Sequence, residues 1–285
     1  MIIKSYAKIN IALNVIGKKD EKMHEIDMVM LPLELHDSLE MSELKTNKDN
    51  FVTFADYSLG GFDYNLATIA IEKLLAYTKK NNKFRIVINK NIPISAGLGG
   101  GSSNAAAAML GVIEMLKLKI SNEELNNLAF EIGSDVPFFL KNVSARVRGI
   151  GEIVEPIEVK NSYYVLIVKP STGLSTEKVY IKSDEYKLDV TDIDQVVDAL
   201  KKGDDEKLEK YMANSLEKPA IDLLPEIQTI KDKLRKIGCK MVLMSGSGSS
   251  VFAISQDKKI LQKACQLLEN DFEVELTKVL KGDMK

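Results

Sequence analysis

Residues 93–108 read PISAGLGGGSSNAAAA, a glycine loop set directly against the start of an alanine-rich helix, and the chemistry this arrangement suits is the holding of phosphate. Gly97, Gly99, Gly100 and Gly101 lack a Cβ, so the backbone can take positive φ and turn several N–H groups toward one anion. Ser102 and Ser103 are placed to cap the helix, whose N-terminus adds unpaired donors and roughly half a positive charge. A Walker A loop ends in Gly-Lys-Ser/Thr, whereas Gly101 is followed by Ser102 and Ser103. A dinucleotide fingerprint begun at Gly97 would need glycine at position 102. A Gly-rich linker beside an alanine helix is the plainer alternative.

Two other places carry groups able to do chemistry. Residues 245–250, Ser-Gly-Ser-Gly-Ser-Ser, lie between short apolar runs; they either approach a ligand closely or simply turn a hairpin. Asp135 sits in GSDVPFF just beyond an expected helix end, where Pro137 stiffens the chain and lets a carboxylate be aimed into a cleft. An Asp capping a turn is the alternative there. Lys8 and Asn10 fall on the same side of a strand, and read alone Lys8 is a lysine on a solvent face.

The elements that must position these groups follow from periodicity. Ile3, Ala7, Ile9, Ile11, Leu13 and Val15 alternate with Lys4, Tyr6, Lys8, Asn10 and Asn14, which predicts a strand over 3–16. Further β-type runs occupy 28–35, 84–89, 146–147 and 163–168. Leu66, Ile69, Ala70, Leu74 and Tyr77 recur at helical spacing, and Ser121 with Glu124 forms a capping box opening a helix that Gly133 would end. Past the turn-like 149–152 a second series begins, so a domain boundary falls near residue 155. The charged stretch 184–210 reads as solvated helix faces, or else a dedicated interaction surface. A helix over 221–237, strands before and after the Gly/Ser loop, a helix over 258–268 and a last strand over 273–279 complete an α+β pattern.

Composition narrows the function. The 285 residues are 45% hydrophobic and suffice for two ordinary domains. With 39 basic and 41 acidic side chains the formal charge is −2, which suggests no nucleic-acid surface and favours small-molecule work. No apolar run approaches the ~20 residues of a membrane span, and MIIKSYAKIN lacks a signal-peptide layout, so a cytoplasmic protein without membrane or obligate protein partner is expected. Cys239 and Cys265 lack CxxC spacing, and with two histidines neither a disulfide framework nor a zinc site is supported.

YAKINIALNV, PISAGLGGGSSNAAAA and LMSGSGSSVFAI together resemble, in order and spacing, the three motifs of the GHMP small-molecule kinase superfamily. Through AKIN, HEIDMVM, GSDVPFF, GIGE and SGSGSSVF the closer resemblance is to the branch that phosphorylates a cytidine-diphospho-methylerythritol in the non-mevalonate route to isoprenoid precursors. It covers nearly the whole chain. The resemblance implies an α+β two-domain GHMP kinase fold: an ATP-binding domain over 1–155 like ribosomal protein S5 domain 2, and a ferredoxin-like domain over 156–285. It also implies a cleft between them for ATP and the alcohol, and transfer of the γ-phosphate to a tertiary hydroxyl with Mg²⁺.

By the same resemblance Asp135 is the catalytic aspartate and Lys8 the lysine near the acceptor hydroxyl, with Asn10 orienting substrate. Phosphoryl transfer to an alcohol needs phosphates held in line, charge neutralised and the nucleophile's proton provided for. ATP would be held by Pro93, Gly97, Gly99, Gly100, Gly101, Ser102 and Ser103, by Gly246 and Gly248, and near the adenine by Asn65; a basic residue common four positions later is Ile69 here. The same reading has a Ser102 or Ser103 hydroxyl reaching the metal. His24 matches the residue that hydrogen-bonds the cytosine and Tyr180 a stacking aromatic, while Met23 stands where the family commonly has an aromatic. Other acceptors, homoserine, mevalonate or phosphomevalonate, and a non-catalytic nucleotide-binding homologue are the alternatives.

Overall fold

The structure, a computed structural model, describes residues 1–19, 23–45, 49–56, 58 and 65–281. Contacts divide the chain into two compact units, one of Met1–Ala7, Leu35–Ile92 and Gly99–Asn142, the other of Lys8–Glu34, Pro93–Leu98 and Val143–Lys285. The expected boundary near residue 155 is a single cut in sequence, whereas these units are discontinuous. The reason lies in two long strands, β1 (Ile2–Lys18) and β2 (His24–Leu44), each of which contributes residues to both.

In the first unit the 38–44 half of β2 pairs antiparallel with β4 (Lys83–Asn89), and β3 (Phe51–Phe54) runs parallel to β4. Phe84, Ile86 and Ile88 alternate inward from β4 and are fully buried, each worth roughly 1.5–3 kcal/mol of burial. Helix α1 (Leu66–Tyr77) packs on α2 (Gly100–Leu116). The alanines at 105–108 of α2 are buried, and side chains this small let two helices come close. Helix α3 (Asn122–Phe130) opens on the expected capping box of Ser121 and Glu124, but ends at Glu131, two residues short of Gly133. Helix α4 (Val136–Lys141) follows with Pro137 in its first turn, where a missing N–H costs nothing.

In the second unit β5 (Ala145–Gly149) pairs antiparallel with the 26–30 part of β2 and with β6 (Ile153–Pro156). Then come β7 (Tyr164–Lys169), α5 (Thr176–Ser183), α6 (Ile193–Lys202), α7 (Asp205–Tyr211) and β8 (Ala213–Asn214), the last parallel to β1 at Ala12 and Leu13. The helix expected over 221–237 is two: α8 (Glu217–Leu223) and α9 (Glu226–Ile237). Pro225 excludes its predecessor from helical backbone, and Leu224 is extended at φ −143°, ψ 85°. Strand β9 (Met241–Met244), β10 (Val251–Ser255), α10 (Lys258–Leu268) and β11 (Glu273–Lys278) complete the chain. The sheet order β11-β7-β10-β9, every pair antiparallel, is the 4-1-3-2 order of a split βαβ, ferredoxin-like layer. Helices α9 and α10 pack on this sheet through Ile227, Ile230, Leu234 and Leu261, Ala264, Leu268.

Candidate active site

In the second unit β1 carries Lys8 and Asn10 inward. They are 4% and 1% exposed, so Lys8 is not the solvent-face lysine that strand alternation alone allows. Both faces of β1 are covered along this stretch, and a strand buried on both faces hides its polar residues with its apolar ones. The Lys8 ammonium donates to Asn10 Oδ1 at 2.7 Å, and the Asn10 amide nitrogen lies 3.1 Å from Met28 Sδ. The main-chain N–H of Lys8 donates to the Leu98 carbonyl at 3.0 Å, tying the strand to the end of the 93–98 segment.

That segment and the 245–250 loop meet backbone to backbone. Ser250 N–H donates to the Ala96 carbonyl at 3.3 Å and the Ser245 hydroxyl to the Gly97 carbonyl at 3.0 Å. Gly97 has φ +72°, and a Cβ there would overlap the Ser245 carbonyl oxygen and come 2.9 Å from that of Gly248. Only glycine fits. Gly246, at φ +57°, faces Lys8 Nζ and Asn10 Oδ1, 3.1 and 3.4 Å from where its Cβ would stand. The 245–250 loop is therefore more than a hairpin turn. Asn214, which sequence reasoning missed, holds it by donating to the carbonyls of Met244 and Gly246 at 2.9 and 2.8 Å.

Along residues 95–99 positive φ recurs at alternate positions, +53° at Ser95, +72° at Gly97 and +71° at Gly99. Alternating backbone of this kind turns successive N–H groups to one side and makes an anion-binding concavity. Pro93, half-buried, precedes it.

His24 and Tyr180 are brought together with ring centroids 5.0 Å apart and planes inclined by 38°. Asp184, which the sequence reading placed only at the start of a charged stretch, accepts from His24 Nε2 at 2.7 Å and from the Lys18 ammonium at 2.8 Å. These two partners, His24 foremost, hold the Asp184 carboxyl below the usual carboxylate range. Nothing local marks Asp184, which lies 160 residues from its partner in a stretch otherwise read as solvated charge. Met23 accepts at its carbonyl from Lys19 N–H at 2.8 Å.

In the first unit Gly99, in left-handed backbone, is the N-cap of α2, with no side-chain cap. Gly100 and Gly101 therefore open the helix, and Ser102 and Ser103 lie inside its first turns rather than capping it. Ser103 is 2% exposed and accepts from the Ser5 hydroxyl at 2.8 Å. Ser102 points elsewhere: its hydroxyl is 4.0 Å from where a Cβ of Gly133 would stand, beside the turn that carries Asp135. Asp135 is the half-buried residue preceding α4 and makes no side-chain capping bond to that helix. A Cβ at Gly100 would come 3.0 Å from the ammonium of Lys90, whose side chain is 9% exposed and ion-paired to fully buried Asp37 at 2.5 Å. Asp37 also accepts the N–H groups of Asn91 and Ile92, both at 2.8 Å. This buried cation beside the first turn of α2 has no sequence signature. Asn65 caps α1, accepting from Ala67 N–H at 2.9 Å.

The description "GHMP kinases N terminal domain" matches residues 65–142 and "GHMP kinases C terminal" matches 196–272. A protein of Bacillus cytotoxicus named 4-diphosphocytidyl-2-C-methyl-D-erythritol kinase is 36% identical over 254 residues, covering 89% of this chain and 88% of its own. The chain belongs to the GHMP kinase family. Proteins of the same name from Alkaliphilus metalliredigens and Thermodesulfovibrio yellowstonii are 37% and 35% identical, the latter covering 93% of both chains. A crystal structure of 4-(cytidine 5'-diphospho)-2C-methyl-D-erythritol kinase matches with TM-score 0.82 at 29% identity, over 99% of this chain and 100% of the other. A Cytophaga hutchinsonii homoserine kinase, at 18% identity, TM-score 0.76 and coverage of 99% and 95%, shares the fold. This GHMP kinase thus has the two-domain, mixed α and β fold of the family. Among its described residues no helix is long and apolar enough to cross a membrane.

Proposed function

We propose that this GHMP kinase transfers the γ-phosphate of ATP to the 2-hydroxyl of 4-diphosphocytidyl-2-C-methyl-D-erythritol, in the cytoplasm, on the way to isoprenoid precursors. The observation that carries the acceptor is the His24–Tyr180 pair with Asp184 behind it. A carboxylate accepts only, so Nε2 carries the proton, and the neutral form of the His24 ring with that tautomer has Nδ1 as an acceptor. An acceptor nitrogen beside an aromatic face complements the amino group and ring of a cytosine. The names carried by relatives 35–37% identical support the same acceptor. Two free thiols, Cys239 and Cys265, fit a reducing compartment.

The alternating backbone at 95–99 supports phosphate binding by Pro93, Gly97 and Gly99, followed by Gly100, Gly101 and Ser102 at the start of α2. Gly246 and Gly248 are ATP-binding in this reading, and Asn65 stands at the nucleotide end while also capping α1. The family descriptions at 65–142 and 196–272 support an ATP-binding part over 1–155 and a second domain over 156–285. Asp135 accepts the hydroxyl proton and orients the nucleophile, the latter weighing more where the transition state is loose. Lys8, held by Asn10, supplies positive charge where negative charge develops.

Mg²⁺ would neutralise phosphate oxygens. Among the described residues there is no cluster of three acidic, His or Cys side chains, which fits an ion held chiefly by phosphates with one or two protein oxygens. Ser102 and Asp135 are the donors of that kind; Ser103, buried against Ser5, is the poorer candidate. The test is ADP release from MgATP by the purified protein with the cytidine compound, homoserine and mevalonate as acceptors. Turnover with the first alone is expected, turnover with another alone would replace the acceptor, and silence with all three would make the chain a non-catalytic homologue.

A further inference from the structure

The second unit contains a cavity of about 420 Å³, lined by the 186–189 segment, β8, the starts of α8 and β9 and one side of α9. That volume suits a small organic ligand. None of the residues assigned to ATP or acceptor lines it. Its polar groups are unevenly charged, with five cationic side chains against three carboxylates.

Lys231 is 5% exposed and is paired with Glu217. Placing this pair out of water costs desolvation that two apolar side chains would avoid, so a buried ion pair at the wall of a cavity is weakly explained by stability. Glu217 neutralises Lys231. The remaining carboxylates, Asp189 and Glu209, share the lining with Lys187, Lys218, Arg235 and Lys240. Lys218 stands 5.4 Å over the ring of Tyr186. Lys187, Arg235 and Lys240 are exposed and make no ion pair with another described residue. Three unpaired cations around one concavity, a guanidinium among them, match a dianionic phosphate group.

We infer that this cavity binds a small phosphorylated metabolite through Arg235, Lys240 and Lys187, apart from the phosphate-binding glycine loop. The walls give such a ligand a route to catalysis. Asn214, in the lining, holds the carbonyls of Met244 and Gly246, and Glu217 accepts the Met244 N–H at 2.9 Å. An occupant bearing on either side chain acts on the 245–250 loop. The inference does not depend on which alcohol the enzyme phosphorylates.

The test is a calorimetric titration of inorganic pyrophosphate into the full chain saturated with a non-hydrolysable ATP analogue, so that the glycine loop is already filled. One further saturable site is expected, weakened about tenfold or more in the double variant Arg235→Gln, Lys240→Gln, as loss of charge-assisted contacts predicts. The double variant should keep its turnover and thermal midpoint when pyrophosphate is absent. If it fails to fold, Lys187→Gln, on a separate segment, carries the same test. No saturable binding, equal affinity in the variants, or binding of a polyglutamate peptide with none of pyrophosphate would each overturn the inference.

Discussion

Asn10 takes the Lys8 ammonium on its side-chain carbonyl at 2.7 Å, and Gly246 faces the two together. A buried lysine has several rotamers to choose from, and this bond selects one. Asn10→Leu keeps the volume and removes the acceptor. Turnover should fall about 10- to 100-fold, with a stability loss of ~1–3 kcal/mol from weakening the hold on a buried charge. Single-turnover kinetics and thermal melts measure the two; unchanged chemistry would remove Asn10 from the positioning of Lys8.

Gly97→Ala tests the interlock of the two loops. Left-handed backbone and two carbonyl oxygens oppose the new methyl, and neither is the yielding end of a side chain. A loss above ~1 kcal/mol is expected, with KM for ATP raised. A variant that melts and binds ATP like the parent would show that the loops can separate at no cost.

Asp135→Asn keeps the shape and removes the carboxylate proposed as the base. A fall of about 10²- to 10⁴-fold in kcat is expected, with nucleotide affinity retained in a fluorescent-analogue titration. Loss of nucleotide binding in step with kcat would assign Asp135 to the metal or phosphate instead.

The pH dependence of the His24 site follows from Asp184. Its folded-state pKa lies below the unfolded value of about 3.9, so its stabilising contribution is fully present above that value. It is lost as pH falls through the lower folded value. Asp184→Asn should therefore flatten the acid limb of a melting-temperature profile below pH ~4 and raise KM for the cytidine acceptor at neutral pH, because Nε2 loses its carboxylate. An acid limb identical to the parent's would mean that the contact does not persist in solution.

Much of the scaffold was legible because its signals are local. The 84–89 run, the Ser121 capping box and the 258–268 helix each declare themselves within a few residues. The break at Pro225 was also written there, in a proline that helical periodicity on either side obscures. Lys8 was harder, because alternation names two faces without saying that both are covered. Gly99 took the cap from Ser102 and Ser103 because left-handed backbone there serves the loop. The Lys90–Asp37 and His24–Asp184 pairs join residues 53 and 160 positions apart, and no window along the chain contains both partners.

Strand β11 lies at the edge of its four-stranded sheet and shows Glu273, Glu275 and Lys278 in six residues. Glu273 and Glu275 share one face, and burial together with Glu273 raises the Glu275 carboxyl above its ordinary value. An open strand edge invites another molecule to add its own strand; two acidic side chains on one face resist a second copy of the same edge. Glu273 is itself held by the Lys169 ammonium at 2.7 Å, so the charge that opposes such an addition rests chiefly on Glu275, and it should fade as the medium acidifies.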